Sequence, residues 1–359
     1  MSLNTDAAGH PALGTTSAAA GLSDPHAGLA PLVEAQHLTR HRVAVVRCEM
    51  HWERPWRIRA AELAAKVVVF LWAHLRLTRE LWRRRDHDLL VVREFLTQIV
   101  ILVWPLLWPL RRKLFVLVNH NLQEAHRKPL ERAILRALWR TGFNLACLET
   151  TLGFVEIGIV PDERRFLVLP HPIAPLAPPR APEPGPPVVG VVGEMRAEKG
   201  TAGILDVLAA IGAAGRLDIR PLLGCPDREV RDAWAQRGFL VADTTAPEAY
   251  AAALARCDVV VLNYVRERYH YRASGVAADA LARRSAVVCP DFPVMRRQLL
   301  EPAAVGATFA TLDGLEAAIG EALALRPQLD AALARHEQAR SARAVAALYD
   351  AMVERLQSS

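Results

Sequence analysis

The chain is poor in the features that mark secreted or membrane-embedded proteins. Its five cysteines, Cys48, Cys147, Cys225, Cys257 and Cys289, form no C-x-x-C pair and mostly lie in or beside apolar runs. That argues against zinc ligation and a disulfide framework, and for buried thiols in a reducing, cytoplasmic compartment. No run of about 20 uninterrupted apolar residues occurs, so no spanning helix is expected. Residues 1–39 lack the positive start and apolar core of a secretory signal. Rich in Ala, Gly, Thr, Ser and Pro, they read as a mobile tail. No D-x-D segment stands in a convincing site context, and no metal or other cofactor is expected.

What is present is apolar bulk and unevenly spread charge. Hydrophobic residues make up 52% of the 359, enough for two cores of ordinary size. The net charge is +6, yet residues 40–140 hold 21 Lys/Arg against 9 Asp/Glu, a net of +12, so the remainder sums to −6. A basic first half suits phosphate, nucleic acid or an anionic membrane, or is simply a solvated arginine-rich surface. No nucleic-acid recognition motif accompanies the arginines, and nucleic acid is not expected as a partner.

Two alternations of strand and helix follow the tail. In the first, Val43–Cys48, Leu89–Val92, Leu114–Val118 and Asn144–Leu148 read as strands, with helices over 57–84, 95–112 and 129–140. In the second, Val188–Val192, Ile219–Leu223, Phe239–Val241, Asp258–Tyr264 and Ser285–Cys289 read as strands. Helices are expected from Thr201, over 227–237, 247–256 and 275–284, and as one long terminal helix over 328–357. Between them, nine of the eighteen residues 170–187 are proline, a segment that cannot join a sheet. The expected class is α/β. The expected domains are an N-terminal Rossmann-like domain over 40–169, a linker over 170–187 and a C-terminal Rossmann-like domain over 188–359.

In open parallel sheets ligands bind beyond the carboxyl ends of the strands. Three loops there carry suitable chemistry. Gly193-Glu-Met-Arg196-Ala-Glu-Lys199-Gly200 joins a strand to a helix, with a glycine for a tight turn and two cations for a diphosphate. It reads equally as a capped helix start with solvated charges. Arg272-Ala-Ser274-Gly275-Val276 opens a helix whose N–H groups suit an anion, and Asp279 lies about one turn further on, where a carboxylate can accept from ribose hydroxyls. A plain capping motif with a surface aspartate fits the same residues. Cys289-Pro290-Asp291-Phe292-Pro293 would make a pocket wall.

Taken together, V-x-G-x-x-x-x-E-K-G, D-V-V-V-L-x-Y, R-x-S-G-V-x-x-D-A-L-A and A-V-V-C-P-D resemble the C-terminal domain of family 4 glycosyltransferases of the GT-B fold, well over 188–320 and more loosely over 113–173. The resemblance implies two Rossmann-like domains facing across a cleft. It also implies that Lys199 binds a donor diphosphate, that Ser274, Gly275 and Val276 offer it backbone or hydroxyl donors, that Asp279 contacts ribose, and that His120 faces the donor sugar as the catalytic histidine. Departures from the family pattern are Glu194 where arginine usually follows the glycine, with Arg196 placed to compensate. Tyr271 stands for the first glutamate of E-x7-E, Arg284 for the glycine before the last strand, and Glu49 to Glu53 for a glycine-rich loop after the first strand.

The implied reaction moves a sugar from a nucleotide diphosphate sugar to an acceptor hydroxyl, with retention, in polysaccharide or glycolipid assembly. Arg196, Lys199 and the helix N-terminus at Ser274 would stabilise the leaving diphosphate. Glu49 or His51 would be the candidate base. The alternatives are a non-catalytic GT-B binding or scaffold subunit and another GT-B enzyme such as a nucleotide-sugar epimerase. Finally, residues 99–110 read IVILVWPLLWPL and precede Arg111, Arg112 and Lys113, and residues 67–72 read VVVFLW. A tryptophan-bearing apolar segment beside basic residues fits peripheral contact with the inner face of the cytoplasmic membrane. It also fits a buried helix packed on the first sheet.

Overall fold

The structure is a computed structural model that describes residues 29–48, 60–179, 184–193 and 201–358. Its frame is two parallel sheets, one in each half of the chain. The first half runs α1 (Ala30–Ala35), β1 (Val43–Val46), α2 (Ala60–Arg83), β2 (Leu89–Val92), α3 (Thr97–Leu107), β3 (Leu114–Leu117), α4 (His120–Arg127), α5 (Pro129–Arg140), β4 (Asn144–Leu148), α6 (Leu152–Glu156) and β5 (Phe166–Leu169). The second runs β6 (Val188–Val192), α7 (Thr201–Ala213), β7 (Arg220–Cys225), α8 (Arg228–Ala235), β8 (Leu240–Asp243), α9 (Pro247–Arg256), β9 (Val259–Val261), α10 (Arg266–Tyr269), α11 (Gly275–Ala282), β10 (Ala286–Pro290), α12 (Pro293–Leu300), β11 (Gly306–Phe309), α13 (Leu315–Ala324), α14 (Arg326–Arg340) and α15 (Ala342–Gln357).

Local chemistry explains most boundaries. Among the inner strands β2, β3, β4, β6, β9 and β10 are predominantly apolar runs of three to five residues, buried throughout, as parallel strands covered on both faces must be. Proline at the first helical position opens α5, α9 and α12. The Asp227 carboxylate caps α8, accepting from the Val230 N–H at 3.2 Å. Ser341 does the same for α15 at 3.2 Å from the Ala344 N–H, and its extended backbone ends α14. The single terminal helix expected over 328–357 is therefore two helices.

In the first sheet the order is β1-β2-β3-β4-β5, all parallel. Each crossover moves one strand the same way, so α2, α3, α4, α5 and α6 all fall on one face, against Ala44, Val46, Leu90, Val92, Leu114, Val116 and Leu145. The opposite face needs another cover. It is supplied by the two ends of the described chain: α1 through Leu29, Leu32 and Ala35, and α15 through Val345, Ala346, Tyr349, Met352 and Val353. Each of the larger aliphatic side chains buried there contributes roughly 1.5–3 kcal/mol. Two expectations change here. Residues 29–35, read as mobile tail, belong to the core because their apolar residues cover strand residues that no crossover helix reaches. The last helix, read with the second half, packs on the first. The Asp350 carboxylate of α15 fastens it there, accepting from the Arg40 N–H at 2.9 Å and the His41 N–H at 3.3 Å.

The second sheet is ordered β11-β10-β9-β6-β7-β8. From β6 the chain winds outward through β7 and β8, then returns to lay β9 on the other side of β6 and winds outward again. The strand order thus reverses between β6 and β9, which pair directly (Val189 opposite Val259). Gly190 makes that centre tight, since a Cβ there would lie 2.3 Å from the Cys257 sulfur. All five cysteines are buried free thiols.

Candidate functional site

In sheets of this kind ligands bind in the crevice where strand order reverses, which here is outside the carboxyl ends of β6 and β9. Gly193 ends β6 with φ 130°, a backbone that L side chains rarely adopt, and donates its N–H to the Gly224 carbonyl at 2.8 Å. Arg196 and Lys199, and with them Glu194, follow directly in the chain but lie outside the described residues. So do Glu49 and His51.

Beyond β9 the chain forms α10 and then enters α11 at Ser274. The Ser274 hydroxyl accepts from the Ala277 N–H at 3.0 Å and bonds the Tyr264 hydroxyl at 2.8 Å. Its backbone is clamped by one side chain: Gln298 Oε1 accepts from the Ser274 N–H at 2.9 Å, and Gln298 Nε2 donates to its carbonyl at 2.8 Å. Ser274 is 2% exposed, so its polar groups are engaged inside the protein. The helix terminus it shapes presents Gly275 and Val276 instead, and among the described residues nothing outside its own helix and chain neighbours lies within 4 Å of where a Gly275 Cβ would stand. This open, capped terminus suits an anion. One turn on, the Asp279 carboxylate accepts from the Tyr250 hydroxyl of α9 at 3.3 Å. Burial raises its pKa, against the pull of Tyr250 and Arg283.

His120 is the first residue of α4, just past the carboxyl end of β3, and α4 packs against α10 of the other half. The junction between the halves turns on two residues not singled out from sequence as binders. Gln123, one turn beyond His120, donates to the Arg266 and Glu267 carbonyls at 3.3 and 3.0 Å and accepts from the Tyr271 N–H at 3.0 Å. Tyr271, 9% exposed, stacks on His126 with ring centroids 4.0 Å apart and planes 20° apart, and its hydroxyl donates to the Glu156 carboxylate. Burial, and then Glu156, push the phenol's pKa up, so it stays protonated. Burial lowers the pKa of His126 and of His270, keeping both rings neutral near pH 7. The position matching the family's first glutamate therefore carries a neutral phenol seated in the first half. Nothing in the sequence around Gln123 marks its role, because its partners lie more than 140 residues away.

Two further positions flank β10, Arg284 before its amino end and Phe292 after its carboxyl end. Arg284, where the family has glycine, has φ 66° and so keeps a glycine-like backbone. Its guanidinium is held by the Ala177 carbonyl and Asp330. After β10, Phe292 packs edge-on to His270 at 5.3 Å, and Asp291 is paired with Arg296, which holds the carboxyl below its usual range.

No protein-family model and no curated protein sequence matches the chain. Solved structures do, at the level of fold. The Anabaena protein HepE, solved in complex with UDP-glucose, is 13% identical over 84% of each chain, with a TM-score of 0.50. The α,α-trehalose-6-phosphate synthase of Burkholderia multivorans is 15% identical over 84% of this chain and 78% of its own, with a TM-score of 0.54. WaaG, a glycosyltransferase involved in lipopolysaccharide biosynthesis, is 10% identical over 94% and 97%, with a TM-score of 0.52. The chain has the GT-B fold, as the resemblance in its motifs implied.

Proposed function

We propose that the protein is a glycosyltransferase that moves a sugar from a nucleotide diphosphate sugar to an acceptor hydroxyl, with retention, in polysaccharide or glycolipid assembly. The observation that carries the reading is the reversal of strand order between β6 and β9, with a left-handed Gly193 following β6 and the capped N-terminus of α11 following β9, in a GT-B frame. In this reading Arg196 and Lys199 neutralise the leaving diphosphate together with the N–H groups of Gly275 and Val276. Asp279 takes a ribose hydroxyl in exchange for Tyr250, and His120 faces the sugar. The acceptor is lipid-linked, approached by peripheral contact of residues 99–113 with the inner face of the cytoplasmic membrane. That contact is supported by α3, which buries Val100, Val103 and Leu107 yet leaves Leu102 57% exposed beside Ile101, Leu106 and Trp108. No helix among the described residues is long and apolar enough to cross a membrane.

A second reading, a non-catalytic GT-B binding subunit, is favoured by one feature: Tyr271 offers the crevice no carboxylate. Calorimetric titration with UDP-, GDP- and ADP-linked sugars separates the readings. The enzyme reading expects one nucleotide sugar to bind and to be turned over, with binding at least tenfold weaker for Lys199→Ala and Asp279→Ala. Binding without transfer to any lipid-linked or glycan acceptor favours the second reading. No binding at all removes the enzyme reading and leaves a scaffold role.

A further inference from the structure

The arginines of the first half are not spread evenly over its surface. A groove of about 650 Å³ runs between α2 and the edge strand β1, lined by Arg47, Arg76, Arg79, Arg83 and Arg84, with Glu80 the one carboxylate in its lining among the described residues. Arg47 is paired with Glu94 at 3.0 Å, and Glu80 holds Arg84 at 2.7 Å and Arg83 at 3.6 Å. Arg76 and Arg79 are exposed, and neither is paired with a carboxylate among the described residues. The Arg76 guanidinium lies over the Trp72 ring at 5.5 Å. Beside these cations the helix shows water an apolar stripe: Val68 is 64% exposed and Trp72 57%, with Leu75 one turn on. α3 lies alongside, tied by the Trp82 indole N–H to the Leu106 carbonyl at 2.9 Å, and exposes Leu102 and Trp108.

We infer that this groove is a headgroup site: Arg76 and Arg79 take the phosphate of an anionic phospholipid while the α2 and α3 stripes enter the interface beside it. The inference rests on the membrane contact proposed above and deepens it, moving the charge-reading site from Arg111–Lys113 to α2. A guanidinium fork matches phosphate oxygens in two parallel hydrogen bonds. Half-exposed tryptophan beside valine fits the boundary between headgroups and acyl chains, where arginine stems can lie along apolar surface with their heads in water. A soluble phosphate compound would use the arginines but leave Val68, Trp72 and Leu75 without purpose.

The test is flotation of the full chain with neutral phosphatidylcholine vesicles and with vesicles containing phosphatidylglycerol. It compares the unaltered protein with Arg76→Gln/Arg79→Gln and Leu102→Ser/Leu106→Ser, circular dichroism checking that both variants fold. At about fivefold for each arginine near an anionic surface, the arginine variant should bind anionic vesicles roughly 25-fold more weakly, with neutral vesicles unaffected. The leucine variant should lose binding to both. If the arginine variant binds anionic vesicles as the unaltered protein does, the headgroup site is wrong and the membrane contact stands. If the unaltered protein binds no vesicles, both fall. Binding of glycerol phosphate, or of an oligoribonucleotide, in preference to vesicles would also overturn the headgroup site.

Discussion

Replacing Tyr271 separates what its hydroxyl does from what its ring does, and tests whether the two halves are coupled through it. Tyr271→Phe removes only the bond to Glu156. A hydrogen bond to a charged acceptor is worth roughly 1.5–3 kcal/mol. The Glu156 side chain is 52% exposed, however, so water replaces the lost donor, and a cost of about 1 kcal/mol is expected. Tyr271→Ala also empties a buried site packed against His126, Leu122 and Gly153. A Cβ on Gly153 would stand only 2.7 Å from the Tyr271 ring and 2.9 Å from Leu122. The surroundings are held by Gln123 and cannot easily collapse, so roughly 3–5 kcal/mol should be lost, stacking on His126 included. Gly153→Ala should act like a mild form of the same change by pushing the ring out. Urea unfolding provides the assay. Seven of the eight tryptophans precede residue 140, so fluorescence reports the first half while far-ultraviolet circular dichroism reports both. In Tyr271→Ala the two transitions should separate, whereas in Tyr271→Phe they should coincide. Coincident transitions in Tyr271→Ala, with a loss below about 1 kcal/mol, would refute the coupling.

Three other outcomes follow from buried charge and backbone. Arg340 is bidentate to Glu149 and also donates to the Arg297 and Glu301 carbonyls at 3.0 and 2.9 Å, all in the interior. Arg340→Leu should cost about 3–5 kcal/mol by stranding the carboxylate, and adding Glu149→Gln should recover part of it in a double-mutant cycle; additive losses would count against the pair. His171 and His336 flank this pair, and burial, reinforced by the positive charge of Arg340, holds both pKa values down to about 4. The unfolded chain then binds more protons below its ordinary value of 6.5, so stability is full above that pH and drains away as pH falls toward about 4, by on the order of 3 kcal/mol for each ring. Denaturation midpoints that stay level from pH 7 to 5 would contradict this. At Arg284, alanine and glycine both lose the contacts with Ala177 and Asp330, but glycine regains about 1 kcal/mol of left-handed backbone cost, so Arg284→Gly should melt above Arg284→Ala.

The inner strands were legible because parallel strands covered on both faces must be continuous apolar runs, and Leu89–Val92 or Val188–Val192 can be little else. The elements that escaped were those without a period. β5 exposes Val168, β11 reads only GATF, and α4 reads HNLQEAHR, in which one leucine and one alanine give no stripe. Yet α4 carries His120, Gln123 and His126. The turn at Gly193 and the cap at Ser274 were visible from local chemistry, since a strand-end glycine and an N-cap serine announce themselves within a few residues. Gln123, Glu156 and Tyr250 were not, because what they touch is set by how two halves and neighbouring helices meet. The placement of α15 on the first sheet was hidden for the same reason. A helix pattern shows that a face is apolar, not which sheet lacks a cover.

The departures from the family pattern are of two physical kinds, and the difference bears on function. Arg284 changes the residue but keeps the backbone: its φ of 66° is the conformation a glycine would take, stabilised by contacts of the side chain that replaced it. Such a change leaves β10 and the loop after it in register, so the frame around the crevice is retained. Tyr271 changes the partner instead. A carboxylate at that position would set a second negative charge beside Glu156, which the Tyr271 hydroxyl contacts, and the two would repel. A phenol avoids this, and its neutrality lets the ring bury against His126. The substitution thus exchanges a charge facing the crevice for a contact joining the halves. Tyr271→Glu should therefore weaken the junction more than Tyr271→Phe does, and Glu156→Gln should relieve it by removing the like charge. If the proposed transfer reaction appears or accelerates in Tyr271→Glu/Glu156→Gln, the crevice was complete but for that carboxylate. If it does not, a carboxylate at that position is not what separates this chain from an active enzyme.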